Sequence, residues 1–409
     1  MIAFCRLFSD CIDRFLSTTD SPLALDNLTH QITLSLPMNS AKHTRNSKSS
    51  TKANHTKSPK ADAFLLDLLG ASSPSGYEFE AQRVIESYIK PVADELKTDA
   101  LGNRLATINS KGNPRVVLMG HMDEIGFIIR YINKEGFLFF DTIGGHDVGL
   151  ISGRKVRILT KNGYVDGITG RRAIHLLTAE ERKQLPKLSS IWIDIGAHSK
   201  EEALKRVSIG DAIVYNNEPF IMGGEFLCAR GIDDRGGTYV VQEVLRRLSK
   251  EKKLAASVTA VSTTQEEVGT RGAITAAYAT DADVGIAVDV GHATDFPDGD
   301  SNRLGEFKLG AGPIIARGPN ICPLVFDRLE ACAKALKIPY QIEAESGPTG
   351  TDARSIQMAR AGVATGLVSI PLRYMHTPHE LASLKDIEWT VQLLTAYIKT
   401  LKASDRFVW

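Results

Sequence analysis

RVVLMGH, residues 115–121, sets four consecutive apolar residues, Val116 to Met119, before a glycine and a histidine. A run that is apolar throughout rather than alternating reads as a strand covered on both faces, the kind found in parallel sheets. Three further runs repeat the pattern: SVTAVSTTQ (257–265) precedes Glu266 and Glu267, DVGIAV (283–288) precedes Asp289, and ATGLVSIPLRYM (364–375) precedes His376. Helical pattern separates them, as in TYVVQEVLRRLSKEKKL (238–254) after Asp233 and CPLVFDRLEACAKALK (322–337). Strand alternating with helix predicts an α/β fold built on a doubly wound sheet. In such a sheet the carboxyl ends of the strands share one edge, and ligands bind in the crevice there. Residues as far apart as His121 and His376 are therefore expected at one site.

What converges is His121, Asp233, Glu267, Asp289 and His376, two imidazoles and three carboxylates without a thiolate. Such nitrogen and oxygen donors suit zinc, cobalt or manganese, and do not choose among them. Two cations about 3.5–4 Å apart need a bridging carboxylate and one His and one carboxylate each, which these five residues supply. Each residue alone has a plainer reading. A strand-end His is usually packed, Asp289 would be a turn former or helix cap, Glu266 and Glu267 a solvated pair, and Asp233 with Asp234 an N-cap. Together those readings require five independent coincidences at one sheet edge.

The local strings are specific. GHMDEIGF (120–127), ARGIDDRGG (229–237), TTQEEVGTRGA (263–273), AVDVGHATDFP (287–297) and RYMHTPHE (373–380) resemble the tetrahedral, or glutamyl/deblocking, aminopeptidase family of dinuclear metallopeptidases. YVDGITGRRAIHLL, IWIDIGAHSKEEA and SGPTGTDARSIQMARAGVATG agree with it, and the likeness runs in family order from about Ala61 to the carboxyl terminus. The resemblance implies that Asp233 bridges two divalent metal ions, that His121 and Asp289 complete one shell, and that Glu267 and His376 complete the other. It implies that Glu266 is the general base and that Asp123 orients the ring of His121. Asp234 is left as a support or a cap.

The chemistry follows from those groups. A water bridging two cations loses a proton far more readily than bulk water, and a carboxylate in hydrogen-bond reach can take it. The resulting hydroxide would attack the first peptide carbonyl, and Glu266 would hand the proton to the leaving amine. Neighbouring residues of an extended chain point to opposite faces, so Glu266 and Glu267 share a site as two ligands only where the strand has ended. One for metal and one for water is the simpler division.

Between GHMDEIGF and ARGIDDRGG lie short strand-like segments with glycine turns, GFLFFDTIGG, RKVRILTKNGYVDGITG, IWIDIGAHS and GDAIVYN. They predict a β-rich insertion, a barrel or PDZ-like unit over 127–218, that interrupts a catalytic domain of 61–126 and 219–409. By resemblance it is a dimerisation domain, and dimers assemble into a dodecamer that admits peptides with a free amino terminus. His146 and His175 lie in it and read as structural or interface residues. The segment with Thr349, Thr351 and Asp352 reads equally as a turn with a helix cap and as a loop beside the substrate.

The 409 residues suffice for one large core and a smaller domain. A hydrophobic content of 43%, a charged content of 24% and a formal net charge of +1 are those of an ordinary globular protein, with no case for nucleic acid or an anionic membrane. Five cysteines without CxxC spacing argue for a reducing, cytoplasmic setting, and Cys228 reads as a small packed hydrophobe. Residues 1–60 differ: no apolar stretch is long enough for a signal peptide or membrane span, and 40–60 carries six Lys or Arg and no acid. That composition is expected to be disordered, an inert tail or the product of a start upstream of Met38. Two other classes are weighed against a peptidase. A glucanase-like hydrolase would use the carboxylates but has no use for two His, and a non-catalytic peptide-binding assembly protein would have no reason to keep Glu266.

Overall fold

The computed structural model describes residues 61–408, so the expectations for residues 1–60 lie outside it. Its framework is a mixed sheet of eleven strands. Four parallel strands form the centre in the order Ser257–Thr263, Arg115–His121, Val284–His292 and Ala364–Arg373. Their register sets His121 opposite Thr263 and Asp289 opposite Ser369. Antiparallel strands flank them: Arg104–Ile108 and Glu95–Thr98 on one side, and Glu380–Ser383, Phe226–Ala229 and Phe220–Met222 on the other. The central strands are buried almost end to end, as their unbroken apolar runs require.

Two details depart from the sequence reading. Asp289 lies inside its strand, which continues to His292, so its carboxylate reaches the crevice from the pleat of the strand. The helix expected over 238–254 spans Ile232–Leu248, and Ser249 caps it. The stretch that follows, KEKK, is exposed and leaves no apolar face to bury.

The start of that helix brings two of the predicted residues to the sheet. Gly231 adopts φ 62°, and a Cβ there would meet Glu124 Oε2 at 3.1 Å and Arg235 Nη1 at 3.2 Å. Asp233 and Asp234 keep non-helical backbone angles. The helix then closes on the strand Arg115–His121 at Gly120, where a Cβ would lie 2.7 Å from the backbone of Gly237 and Thr238.

The predicted insertion is a closed barrel of six strands, in the order Gly126–Ile132, Leu138–Ile143, Trp192–Asp194, Gly163–Gly170, Lys155–Thr160 and Ala212–Tyr215. Phe127, Ile129, Leu138, Ile158, Ile193 and Ile213 fill it, forming a core separate from that of the sheet. Among the described residues no helix is long and apolar enough to cross a membrane.

Sheet and barrel meet just after His121, where Glu124 is buried between two arginines. Its carboxylate accepts from Arg230, and from Arg235 Nη2 at 2.6 Å, while Ser73 N donates to it at 3.1 Å. Arg235 Nε also donates to the carbonyl of Met122 at 3.4 Å, tying the helix to the loop that carries Asp123. Burial would push Glu124 up, but the two guanidiniums outweigh it and hold its carboxyl below the usual range. Removing one member of a buried charge group strands the others. Glu124→Ala is expected to lose about 3–5 kcal/mol of stability, read from urea unfolding, and an unchanged midpoint would contradict this account of the junction.

Candidate metal centre

His121 is the last residue of its strand, and Asp233 stands before the regular part of the helix Ile232–Leu248. Glu266 and Glu267 follow the strand Ser257–Thr263, and His376 follows the strand Ala364–Arg373. The chain leaves the extended conformation at Gln265, φ 55°, which lets both glutamates face one cavity. That cavity, of about 450 Å³, is lined by His121, Asp233, Glu266, Glu267, Asp289 and His376. Of the seven residues singled out from the sequence, these six are brought together in its wall, and Asp123 stands directly behind them.

Asp233 lies between two imidazoles. Its Oδ1 is 3.1 Å from His121 Nε2 and its Oδ2 is 3.2 Å from His376 Nε2. Burial would raise its pKa, but the hydrogen bonds from both rings outweigh burial and lower it. Two groups of three donors share this residue: His121, Asp233 and Asp289, and Asp233, Glu267 and His376, each with ligand atoms within 4.8 Å of one another. Glu266 belongs to neither, and its Oε2 is 3.9 Å from His121 Nε2.

The remaining acids repel one another. Burial, with the charges of Asp289 and Asp352 adding, pushes Glu266 up to about 9 against the pull of His121. Burial, with Asp233 adding, pushes Asp289 to about 7. Glu267 rises well above the usual range for the same two reasons. Its Oε1 is buried and makes no hydrogen bond. A crowd of desolvated carboxylates with an orphaned oxygen, two imidazoles and no thiolate fits divalent cations.

Behind the lining, buried carboxylates hold backbone amides. Asp123 accepts from Glu266 N at 3.1 Å, Glu267 N at 3.2 Å and Ser75 Oγ at 2.6 Å, and its Oδ1 is 3.5 Å from His121 Nδ1. It thus grips both glutamates as well as the ring it was expected to orient. Asp234 accepts from His121 N at 3.1 Å and Gly237 N at 3.0 Å, acting as support and cap at once. Glu380, passed over in the sequence although it closes RYMHTPHE, accepts from Asp233 N at 3.1 Å and His376 N at 2.9 Å. Glu78, also passed over, accepts from Gln265 N at 3.1 Å. Asp352 caps nothing with its side chain and instead accepts from Thr263 Oγ1 at 2.6 Å, while Thr349 and Thr351 line the cavity. Thr351 also bonds Ala353 N at 3.2 Å, so that loop is both turn and cavity wall.

The barrel reaches the centre through Gly144 and Gly145. A Cβ on Gly144 would lie 3.3 Å from Glu267 Oε2, and one on Gly145 3.2 Å from His376 Nδ1. His146 is a packed residue: it stacks on Phe127 with centroids 4.4 Å apart, its Nε2 lies 2.8 Å from the carbonyl of Gly126, and burial pulls it down to about 4. His175 lies exposed on an outer loop of the insertion. Cys228 is buried and, with Cys322 and Cys332, a free thiol among the described residues.

Known proteins resemble this chain in sequence and in fold. Residues 102–393 match the model of the M42 glutamyl aminopeptidase family. A lysyl aminopeptidase of Pyrococcus furiosus is 37% identical over 348 residues, 84% of this chain and 98% of that protein. The crystal structure of a TET aminopeptidase from a marine sediment Thaumarchaeota archaeon is 35% identical, covers 83% of this chain and 96% of its own, and superposes with a TM-score of 0.79. The TET1 peptidase of Pyrococcus horikoshii, which can assemble into a tetrahedron or a large octahedral shell, is 32% identical at a TM-score of 0.75, over 83% of this chain and 99% of that one. With the family model spanning both the sheet and the barrel, and relatives matched over most of their own length, this chain belongs to the M42 glutamyl aminopeptidase family and is a peptidase.

Proposed function

We propose that the protein removes the amino-terminal residue of peptides with a free amino terminus, using two divalent cations and Glu266 as general base. The observation that carries this reading is the pair of three-donor groups sharing Asp233, with Glu266 just outside both in the same cavity. His121, Asp233 and Asp289 would hold one cation, and Asp233, Glu267 and His376 the other. When bound, such a pair acidifies a shared water and polarises the scissile carbonyl. We put zinc or cobalt first and manganese second, although the donors themselves accept all three.

The chain's own groups do the rest. Glu266, fixed at its backbone by Asp123, takes the proton of the attacking water and returns it to the leaving amine. Asp123 and Glu380 keep the ligating side chains from rearranging, because each binds amides of two site residues. The burial of His121, Asp233 and Asp289 strengthens the charge interactions among them. We place the protein in the cytoplasm, in keeping with its free thiols.

We also propose that the barrel is a dimerisation domain and that dimers build a dodecamer, by analogy with the assembling relative. Light scattering behind size-exclusion chromatography is expected to give a multiple of a dimer, and a monomer at micromolar concentration would overturn this.

Prolonged chelation is expected to abolish peptide hydrolysis, and an added divalent transition metal to restore it. Elemental analysis of active protein should find two metals per chain, and only trace metal would sink the assignment. Glu266→Gln keeps size and reach but loses the base, so turnover should fall about a hundredfold to ten-thousandfold with metal content unchanged. Glu267→Gln should lose metal and activity together. Parent-rate hydrolysis by Glu266→Gln with both metals bound would remove Glu266 from its role.

A further inference from the structure

Just past the two glutamates the wall of the cavity becomes the wall of a second hollow. Gly269 N and Thr270 N both donate to the carbonyl of Glu266, at 2.8 and 2.9 Å, so the chain turns sharply there. Gly269, Thr270 and Arg354 line the cavity of the centre and also a neighbouring groove of about 830 Å³. That volume lies in the range of small-ligand sites. Thr270 Oγ1 is 2.8 Å from Ser355 Oγ, which ties the two sides of the groove together.

The groove differs in character from the cavity it joins. The helix Arg271–Thr280 buries Gly272, Ala273, Ala276 and Ala277 and leaves Ile274 and Tyr278, one turn apart, on the groove. Met358, just past the helix Ala353–Gln357, lines it as well. Ile274 is 56%, Tyr278 64% and Met358 78% exposed, so three large apolar side chains meet water around one hollow. A lone exposed residue would need no account, but a grouped patch marks a binding surface. Arg354 and Arg360 are the charged residues of the described lining, which includes no acid. Arg360 is engaged by Asp281 at 3.4 Å and the carbonyl of Tyr278 at 2.7 Å, whereas Arg354 has no such partner among the described residues.

We infer that this groove receives the part of the substrate that follows the scissile bond, and that Ile274, Tyr278 and Met358 favour a large apolar side chain directly after that bond. The inference rests on the proposed reaction and says where the rest of the peptide lies. A peptide cut at its first bond sets its α-ammonium among the carboxylates of the centre and sends its remaining chain, which ends in a carboxylate, away from them. The groove joins the cavity and carries the opposite charge, so the polarity of the peptide matches that of the two hollows. A second copy of this chain is the other occupant an apolar face would take. It would have to close over Gly269, Thr270 and Arg354, which wall the cavity too, and so would cover an approach to the centre.

The test uses the full-length, metal-loaded protein, a panel of simple aminoacyl amides and a set of tripeptides ending in alanine. Every tripeptide begins with the residue the parent releases fastest from its amide, and has phenylalanine, leucine, glycine or lysine second. The parent is expected to favour phenylalanine and leucine over glycine in kcat/KM by about tenfold, the lower end of what burying a large apolar side chain gains, with lysine poorest. Ile274→Asn and Met358→Asn should erase most of that preference, lowering kcat/KM on the phenylalanine and leucine tripeptides about tenfold more than on the amide, which has nothing to place in the groove. Met358→Glu should raise the lysine tripeptide relative to the leucine one. A parent indifferent to the second residue overturns the inference and leaves the peptidase reading intact, since the amides are still cleaved. Equal losses on amide and tripeptides overturn it as well, assigning the three residues to the frame of the centre. Variants that fall to a smaller assembly in light scattering yet keep the tripeptide preference give the groove to a second copy and overturn it. Hydrolysis of neither amides nor tripeptides by the metal-loaded parent overturns both readings.

Discussion

A single carboxylate held between two imidazoles organises this molecule. Asp233 faces His121 on one side and His376 on the other, and the two rings arrive from different strands. Three elements must therefore end within a few ångströms of one another, and much of the framework serves that closure. The helix carrying Asp233 can approach the strand carrying His121 only because Gly120 presents no side chain to the backbone of Gly237 and Thr238. Interiors pack too densely to absorb a methyl group between backbones at that distance without displacing one of them. A displaced helix would carry Asp233 away from both rings at once.

Around that centre the protein sets acid behind acid. Asp123, Asp234, Glu380, Glu78 and Asp352 are all buried, and each takes hydrogen bonds from backbone or hydroxyl donors instead of pairing with a lysine or arginine. Such groups are costly to bury without partners. Their partners here are amides of the loops that bear the lining residues, so the same bonds that satisfy the acids fix the loops. Glu124, at the junction with the barrel, is instead neutralised by two arginines, and there the need is mechanical rather than chemical.

How much of this was legible in the sequence depended on range. The unbroken apolar runs announced parallel strands because burial on both faces leaves a local signature. The lining residues stood out because they follow or end those runs and because the surrounding strings are so specific. Glu380 and Glu78 were not legible: their partners are backbone amides, Asp233 N and Gln265 N far away in the chain and His376 N four residues before Glu380, and no spacing records a carboxylate whose partners are backbone groups. A barrel was one of the two forms expected of the insertion, but the pairing that closes it, Gly126–Ile132 with Ala212–Tyr215 across the whole insertion, leaves no local signature. Asp289 was expected beyond its strand because the apolar run stops there, yet Val290 and the residues after it continue the pairing.

The barrel also bears on how the site is to be understood. An insertion that served only to join subunits could be tethered loosely to its host. This one enters just after Asp123, is locked by a buried charge cluster, and sends Gly144 and Gly145 back beside Glu267 and His376, where a Cβ on either would meet a side chain of the centre. Gly144 adopts φ 77°, a conformation that favours glycine, and a side chain there would press on Ile125 and Glu267. Two side chains of the centre are therefore flanked by a segment whose position is set by the barrel. Three consecutive residues join the two parts of the chain, Gly144 and Gly145 beside the centre and His146 stacked on Phe127 of the barrel core.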